Sequence, residues 1–301
     1  MIKKRVLIIC DLFPPAFGPR MGYLVKYLAF LGWDAIVITE KIADDTYSFI
    51  ADKNKIHYID FYENCRFKKL RWLFVFLANL FFNYKNRKIY QTALKIIEET
   101  PFDIILCSSY RSFPLPAALM VAKKTGLPLV SDIRDIIEQY PKNEFFTSYI
   151  PPIPLFKDLF ISIFKKVSIK ERNSVLKASD HVTTVSTWHK QLLEQYNPNT
   201  SLIYNGFDPE LFYPDSIPNK LFTITYTGRL HSLEMQDPDL LFRAIQRLDQ
   251  DKIISPQLCR LTWYVNEHST QLLNIKSRAY DLDRYMDIKG YVRANQIPDI
   301  L

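Results

Sequence analysis

Short apolar runs alternate with longer amphipathic segments along this chain, and this alternation constrains its fold more than any other feature. Seven runs rich in branched residues come before position 206: RVLIIC, AIVIT, KIHYID, DIILCSS, LPLVSDI, DHVTTVS and TSLIYNG. Runs that are apolar almost throughout are typical of strands that helices cover on both faces. The sequence therefore predicts an α/β fold built on a parallel sheet.

A proline-rich segment interrupts the alternation between Tyr204 and Gly228. It begins with Asn205-Gly206, a dipeptide that favours a left-handed turn. Three prolines then break regular structure: Pro209, Pro214 and Pro218. The runs LFTITYTG, CRLTWYV and YMDIKGYV follow and restart the strand and helix pattern. We expect a first lobe over 1–206, a hinge over 207–220 and the start of a second lobe over 221–301, with a ligand cleft between the lobes.

The net charge of +7 comes from the first part of the chain, because residues 215–301 carry 11 basic and 11 acidic side chains. The segment Cys65 to Lys88 holds seven basic residues, no acidic one and an apolar centre of 11 residues from Trp72 to Phe82. A membrane-spanning helix needs about 20 apolar residues. The segment therefore favours a helix lying in an anionic membrane interface, and a core helix with a solvated basic edge is the alternative. No nucleic-acid-reading motif accompanies the charge, so nucleic acid is not an expected partner.

Cysteines and histidines give no sign of a metal or redox site. The four cysteines share no close spacing, which predicts buried, reduced thiols. The five histidines lack ligand spacing, so we expect neither a metal nor another cofactor. The start MIKKRVLIIC enters a strand pattern directly, which predicts a cytoplasmic protein without a signal peptide. If the basic segment binds membrane, the protein is expected to be peripheral at the inner face of the plasma membrane.

Polar residues that follow the predicted strands are the candidates for a site, because open parallel sheets bind ligands at the carboxyl ends of their strands. After the first strand, Gly18 and Arg20 precede a helix whose amides could meet a phosphate; a tight turn is the alternative. After LPLV, the residues Asp132, Arg134 and Asp135 could orient sugar hydroxyls, or could form a structural Arg-Asp network.

Two further groups complete the candidate set. Tyr110 and Arg111 follow the run DIILCSS, beside the SDIRD cluster in the predicted sheet. Gly228 and Arg229 follow the first strand of the second lobe. Glycine lets a ligand approach the backbone closely, and a guanidinium can hold a diphosphate through paired hydrogen bonds.

Taken in order, these segments resemble the retaining glycosyltransferases of family four, which have the GT-B fold of two Rossmann-like lobes that face a cleft. The resemblance is carried by FPPAFGPRMGYLVKYLAFLGWDAIVIT, SDIRD, SDHVTTVSTWHKQLL, LIYNGFDPELF, ITYTGRL and DIKGYVRANQIPDIL. It implies an acceptor-side N-terminal lobe and a C-terminal lobe that binds a nucleotide sugar. It also implies retaining, hexosyltransferase-like transfer to a growing, lipid-linked bacterial cell-surface glycan, in which the leaving phosphate helps to deprotonate the acceptor.

The resemblance assigns roles to single residues. Gly18 matches a glycine near the donor phosphates, Arg229 matches the arginine that neutralises the leaving diphosphate, and Gln236 stands nearest the position of a usual lysine. The implied donor-binding residues are Gly18, Gly228, Arg229, Gly290, Tyr291 and Val292. The implied acceptor-side residues are Arg20, Tyr110, Arg111, Asp132, Arg134 and Asp135. Arg229 and Asp135 are expected to act in the reaction itself, although many family members have histidine where this chain has Arg134.

The chain departs from the family pattern at its end. The glutamate pair that holds the donor sugar and the ribose in relatives would fall beyond Leu301, so the second lobe is expected to be incomplete and the 301-residue chain inefficient by itself. A non-catalytic GT-B relative that serves as a binding partner in a glycosyltransferase complex is the alternative function. A sugar-nucleotide epimerase of the same fold is a further one.

Overall fold

The structure is a computed structural model, described for residues 4–50, 55–62, 68–140, 157–213, 221–230, 232–233 and 236–301. The chain divides into two compact units, Met1–Gly206 and Phe207–Leu301. Within the predicted hinge, residues 207–213 are described, and 214–220 lie outside the described residues.

The described residues of the first unit form seven strands, one for each of the seven apolar runs. They are β1 Lys4–Cys10, β2 Trp33–Glu40, β3 Ile56–Ile59, β4 Ile104–Ser109, β5 Leu129–Ile133, β6 His181–Thr184 and β7 Thr200–Leu202. All pairings are parallel, in the order β3-β2-β1-β4-β5-β6-β7. The predicted α/β class is confirmed, and the strand order reverses beside β1 and β4, where such sheets bind ligands.

In the described parts of the connections, six α-helices lie between these strands. They are α1 Pro19–Phe30, α2 Lys68–Phe82, α3 Tyr84–Glu99, α4 Leu115–Thr125, α5 Lys157–Ala178 and α6 Thr187–Leu193. The apolar runs arise because both faces of the sheet are covered: along β1, Leu7 and Ile9 join one buried cluster while Val6 and Ile8 join the other. Successive side chains of a strand point to opposite faces, so a strand covered on both faces is apolar at every position.

The second unit repeats the pattern, with three parallel strands among its described residues. Its elements are β8 Phe222–Gly228, α7 Asp239–Gln250, β9 Cys259–Val265, α8 Glu267–Ala279 and β10 Met286–Lys289, with the strand order β10-β9-β8. Its core forms around Trp263, whose ring lies 6.1 Å from that of Phe242 and 5.2 Å from that of Tyr226. The strand runs predicted after the proline-rich segment are thus all present.

Cysteine burial agrees with the sequence pattern. Cys10, Cys107 and Cys259 are buried and carry free thiols, and Cys65 lies outside the described residues. Burial raises the pKa of Cys10 to about 12, so this thiol stays protonated at neutral pH.

The predicted left-handed turn at Asn205-Gly206 is wrong. The residues of positive φ in the described part of the chain do not include either of them. Instead, Oδ1 of Asn205 accepts a hydrogen bond from Nη1 of Arg20 at 3.0 Å. This long-range bond holds the end of the first unit against α1, so the asparagine serves the tertiary structure rather than a local turn.

Candidate active site

The sheet register of the first unit brings polar side chains together at one edge. Cys10 pairs with Ser108, Ser108 with Asp132, and Asp132 with Thr183, so the ends of four neighbouring strands meet here. Asp11, which follows Cys10, lies at the same edge and is buried. The sequence analysis did not include this aspartate among the candidate residues, although a carboxylate directly after a buried run is itself a signal of a site.

Asp132 is buried and accepts four hydrogen bonds. Its Oδ1 accepts from Nη2 of Arg20 at 3.0 Å and from Oγ1 of Thr183 at 2.7 Å. Its Oδ2 accepts from Nε of Arg20 at 3.3 Å and from Oγ of Ser108 at 2.9 Å. Both oxygens are therefore occupied by groups of this chain, and the carboxylate ties α1 to three strands. Arg20 spans from Asp132 to Asn205 and is fixed at both ends.

Arg134 forms an ion pair with Asp11 through its Nη2. Burial raises the pKa of Asp11, although the charge of Arg134 and the backbone N–H of Leu12, 2.9 Å away, act in the opposite direction. Burial acts to lower the pKa of Arg134, but the pKa is raised overall because Asp11 and other nearby anions favour the charged guanidinium. Nε of Arg134 is buried and makes no hydrogen bond within the described part of the chain. This donor is available to a ligand or a water molecule.

Two guanidinium groups lie close to the ring of Tyr110. The Arg111 guanidinium is 4.5 Å from the centre of the Tyr110 ring, and that of Arg134 is 6.0 Å from the same centre. The structure thus brings together three of the predicted acceptor-side residues on the loops that follow β4 and β5. Positive charge over an aromatic face is attracted to it, which orders both arginines.

Asp135 belongs to a second network that the sequence did not reveal. Its Oδ1 accepts from Nε2 of Gln139 at 2.9 Å, and Oε1 of Gln139 lies 3.0 Å from Nε2 of His189. Since the amide donates to Asp135, its oxygen faces His189, and Nε2 of the histidine must carry the hydrogen. Nδ1 of His189 is buried and has no hydrogen-bond partner among the described residues. Burial lowers the pKa of His189.

Gly18 has a packing reason to be glycine. A Cβ at this position would lie 2.7 Å from the carbonyl oxygen of Leu12 and 2.9 Å from Cα of Phe13. Gly18 caps α1 without a side chain, and Pro19 has no N–H to offer an anion. The close contact explains the glycine without a ligand, and the predicted role near the donor phosphates remains a prediction.

The second unit presents a different edge at the carboxyl ends of its strands. Gly228 has a φ of 142°, a conformation that favours glycine, and Arg229 after it is exposed. The next residue, Leu230, donates its N–H to Oγ of Ser269 at 2.9 Å, and Asn266 caps α8 by accepting from the N–H of Ser269. The start of α8 is thus fixed beside the loop that carries Arg229. A guanidinium next to a helix start suits a phosphate ligand.

The remaining residues that were predicted to bind the donor sugar nucleotide follow β10. This strand pairs with β9, which leads into α8. Gly290 and Tyr291 are exposed, and Val292 is half-buried. Gln236, which stands where a lysine was expected, is hydrogen-bonded to the Tyr226 hydroxyl; burial raises the pKa of this tyrosine and Gln236 opposes the rise. Gln236 is uncharged, so of these two positions only Arg229 carries a positive charge.

The basic aromatic segment forms α2, which is apolar on two faces. Val75 is buried and Trp72 and Phe76 are half-buried, whereas Phe74, Leu77 and Phe81 on the other face are 54%, 42% and 70% exposed. No described helix is both long and apolar enough to cross a membrane. Among the described residues, no group of His, Cys, Asp and Glu could hold a metal ion.

Comparison with known proteins identifies the type of protein that this chain resembles. The family model of Glycosyltransferase Family 4 matches residues 20–211. A search of curated proteins found no significant match.

Three solved structures show the same fold at low identity. HepE of Anabaena, in complex with UDP and glucose, is 15% identical with a TM-score of 0.59; the match covers 99% of this chain and 71% of HepE. The sucrose-phosphate synthase of Thermosynechococcus elongatus is 13% identical with a TM-score of 0.61 over 98% of this chain and 72% of the other. The UDP-GlcNAc 2-epimerase of Methanocaldococcus jannaschii is 9% identical with a TM-score of 0.51 over 98% and 76%. These likenesses show the GT-B fold.

Proposed function

The chain belongs to glycosyltransferase family 4, and on that premise we propose that it transfers a sugar from a nucleotide-diphosphate sugar, with retention of configuration, to a lipid-linked acceptor of a bacterial cell-surface glycan. The observation that carries the acceptor part is α2, whose outer face exposes large apolar side chains between clusters of basic residues. Such a face suits the boundary between anionic headgroups and acyl chains. A peripheral position at the inner face of the plasma membrane would bring the enzyme to a lipid-linked substrate.

The donor part of the proposal is supported by the edge of the three-stranded sheet. Arg229 is exposed next to the start of α8, and Gly290 and Tyr291 follow the strand at the other side of β9. As the bond to the donor sugar breaks, negative charge grows on the diphosphate, and Arg229 would stabilise it. HepE was solved with UDP and glucose, so UDP-sugars are the first donors to test.

The acceptor-side residues take separate roles in this proposal. Arg111, Tyr110 and Arg134 would face the acceptor, with Nε of Arg134 as an available donor. Asp135 would position the attacking hydroxyl, and the leaving phosphate would take its proton. No metal or organic cofactor enters the proposed reaction.

The test is a donor screen followed by analysis of the product. The chain is incubated with UDP- and GDP-sugars and with a short-chain isoprenyl diphosphate sugar as acceptor, and release of the nucleotide diphosphate is measured. Slow transfer with an unchanged anomeric configuration, read by NMR after long incubation, is expected for a chain that is inefficient by itself. Inversion, or transfer only to water-soluble sugars, would contradict the proposal.

Two alternatives predict other results in the same screen. A non-catalytic binding partner would show no turnover with any donor but would bind a partner glycosyltransferase. An epimerase, the activity named for one of the structural neighbours, would convert the donor sugar without an acceptor. The family match over residues 20–211 favours the transferase, because fold alone does not separate it from the epimerase.

The membrane part has its own test by co-sedimentation with vesicles. The chain is expected to bind vesicles that contain phosphatidylglycerol more than vesicles of phosphatidylcholine. Replacing Lys68, Lys69 and Arg71 by Ala should weaken the binding, and replacing Lys123 and Lys124 at the end of α4 serves as the control. Equal binding to neutral and anionic vesicles would reject this surface.

A further inference from the structure

A cavity of about 230 Å³ lies within the first unit, between helices that are distant in the sequence. Its apolar lining includes Trp72, Phe76 and Leu80 of α2 and Phe164 of α5. Trp72 stacks on Phe76 at 5.5 Å, and the ring of Phe164 lies 6.3 Å from that of Phe76. These aromatic rings form a continuous wall from one helix to the other.

The polar lining of the same cavity comes from the sheet edge of the candidate site. It includes Asp11, which is paired with Arg134, and the loop residues Tyr110 and Arg111. Lys85 also lines the cavity, and both oxygens of Glu40 accept from it, at 2.7 and 2.8 Å. The cavity thus has apolar helices along one part of its lining and charged, mutually compensated groups of the candidate site along the other.

The volume of the cavity indicates whether it can enclose a whole ligand or only part of one. Pockets that enclose a small molecule have volumes of roughly 300 to 1,000 Å³. The cavity is smaller, so it suits one portion of a long molecule whose remainder lies outside. Leu80 lies where the cavity meets the protein surface, because it lines the cavity and is also 51% exposed, beside Leu77 and Phe81.

We propose that this cavity binds the hydrocarbon chain of the lipid-linked acceptor next to its phosphate, with the chain along Trp72, Phe76 and Phe164 and the phosphate at Arg111. The inference rests on the proposed function and adds the place where the lipid portion is held. A guanidinium binds phosphate through paired hydrogen bonds, and the aromatic wall removes the first part of the chain from water. The rest of the chain leaves past Leu80 toward the exposed face of α2.

Trp72 provides a direct measurement of this binding, without any donor sugar. Geranyl diphosphate is added to the full chain, and tryptophan fluorescence is recorded in the unmodified chain and in the Trp72→Phe variant. A saturable change that disappears in Trp72→Phe is expected, and inorganic diphosphate alone should not produce it. Absence of the change, or an equal change with inorganic diphosphate, would overturn the proposal.

A pair of variants on one helix tests the location. Ser168 of α5 lines the cavity, and Ser162 of the same helix is exposed and does not. Ser168→Phe would fill the cavity and should weaken geranyl diphosphate binding by about tenfold or more, whereas Ser162→Phe should leave it unchanged. Circular dichroism and thermal unfolding establish that both variants fold. If Ser168→Phe folds and binds as the unmodified chain does, the location is wrong.

Two further experiments are needed. One distinguishes an isoprenyl acceptor from a membrane phospholipid as the ligand, and the other distinguishes failure of the cavity proposal from failure of the proposed function. Dihexanoylphosphatidylglycerol offers a phosphate and two acyl chains, and if it binds as tightly as geranyl diphosphate the acceptor assignment is wrong. Undiminished sugar transfer to an isoprenyl diphosphate acceptor by Ser168→Phe would overturn the cavity proposal and leave the proposed function standing. Binding of geranyl diphosphate without detectable transfer from any donor after long incubation would overturn the proposed function and leave the lipid site in the cavity standing.

Discussion

The two sheets of this protein end in edges of opposite character. At the edge of the seven-stranded sheet, Asp132 is saturated by Arg20, Ser108 and Thr183. At the edge of the three-stranded sheet, the Arg229 side chain is exposed and its surroundings are shaped by glycine and a helix start. Both edges lie at the carboxyl ends of parallel strands, so the same architecture supports a closed network in one unit and an open surface in the other.

The difference shows that position in the fold does not by itself give a charged residue a ligand. In a closed network, the charged side chains already interact with one another and hold the strands together. Substitution of these residues should therefore reduce the free energy of unfolding. At an open edge, substitution of a charged residue should reduce ligand affinity without a change in the free energy of unfolding. The predictions below test this contrast.

The largest effect is expected at Asp132. Removal of this buried carboxylate leaves the half-buried guanidinium of Arg20 without its main partner, which should lower the free energy of unfolding by about 3 to 5 kcal/mol. Urea unfolding of Asp132→Ala measures this loss, and Asp45→Ala, at an exposed position of the same unit, is the control. A folded Asp132→Ala protein with an unchanged midpoint and lower sugar transfer would place this carboxylate at the acceptor instead.

Arg229→Ala is expected to reduce activity without reducing stability. Loss of a charge-assisted bidentate contact is expected to reduce transition-state stabilisation by roughly 2 to 4 kcal/mol, or about 30- to 1,000-fold in rate, with an unchanged unfolding midpoint. Arg229→Lys should not restore activity, because an ammonium group lacks the planar fork. Arg278→Ala, at the far end of α8, is the matched control. Donor affinity and nucleotide release are the measurements, and equal values in Arg229→Ala and Arg278→Ala would remove Arg229 from the site.

Gly18→Ala separates packing from donor binding. The added methyl group would meet the backbone of Leu12 and Phe13, which should cost about 1 to 3 kcal/mol of stability. Gly206→Ala is the control, because a Cβ there meets nothing within 4 Å and φ is not positive; it should be neutral or slightly stabilising. Unchanged stability of Gly18→Ala with weaker binding of a nucleotide sugar would favour the phosphate role.

Periodicity in the sequence was sufficient to predict the strands and the α/β class, because burial on both faces leaves a continuous apolar run. It also indicated where polar residues follow strands, including Asp132 and Arg134. It did not indicate their partners. Asp11 and Arg134 are separated by 123 residues, and Arg20 and Asp132 by 112. Such pairings depend on strand order and register, which a local pattern does not contain.

The cavity was missed for the same reason. The sequence predicted a basic aromatic helix at α2, but the inner lining of that helix depends on Phe164, which belongs to a helix much later in the chain. The apolar content of the segment was visible in the sequence, while its division into a packed face and an exposed face required the structure.

The smallest effect is expected at His189, in the network next to the closed edge. Burial lowers its pKa, and the charge of Arg172 acts in the same direction, whereas Asp135 and Glu138 oppose the shift. The folded chain therefore binds fewer protons at this histidine than the unfolded chain near pH 6, so stability should fall as pH decreases below about 6.5. Urea unfolding between about pH 7.5 and 5.5 should show this slope, and His189→Gln should reduce it. Glu138, whose pKa is lowered overall because the hydrogen bond and charge of Arg172 outweigh burial, titrates at lower pH and does not interfere. An identical slope in the variant would show that protonation of His189 costs the folded network nothing, and that the network is more open than its contacts indicate.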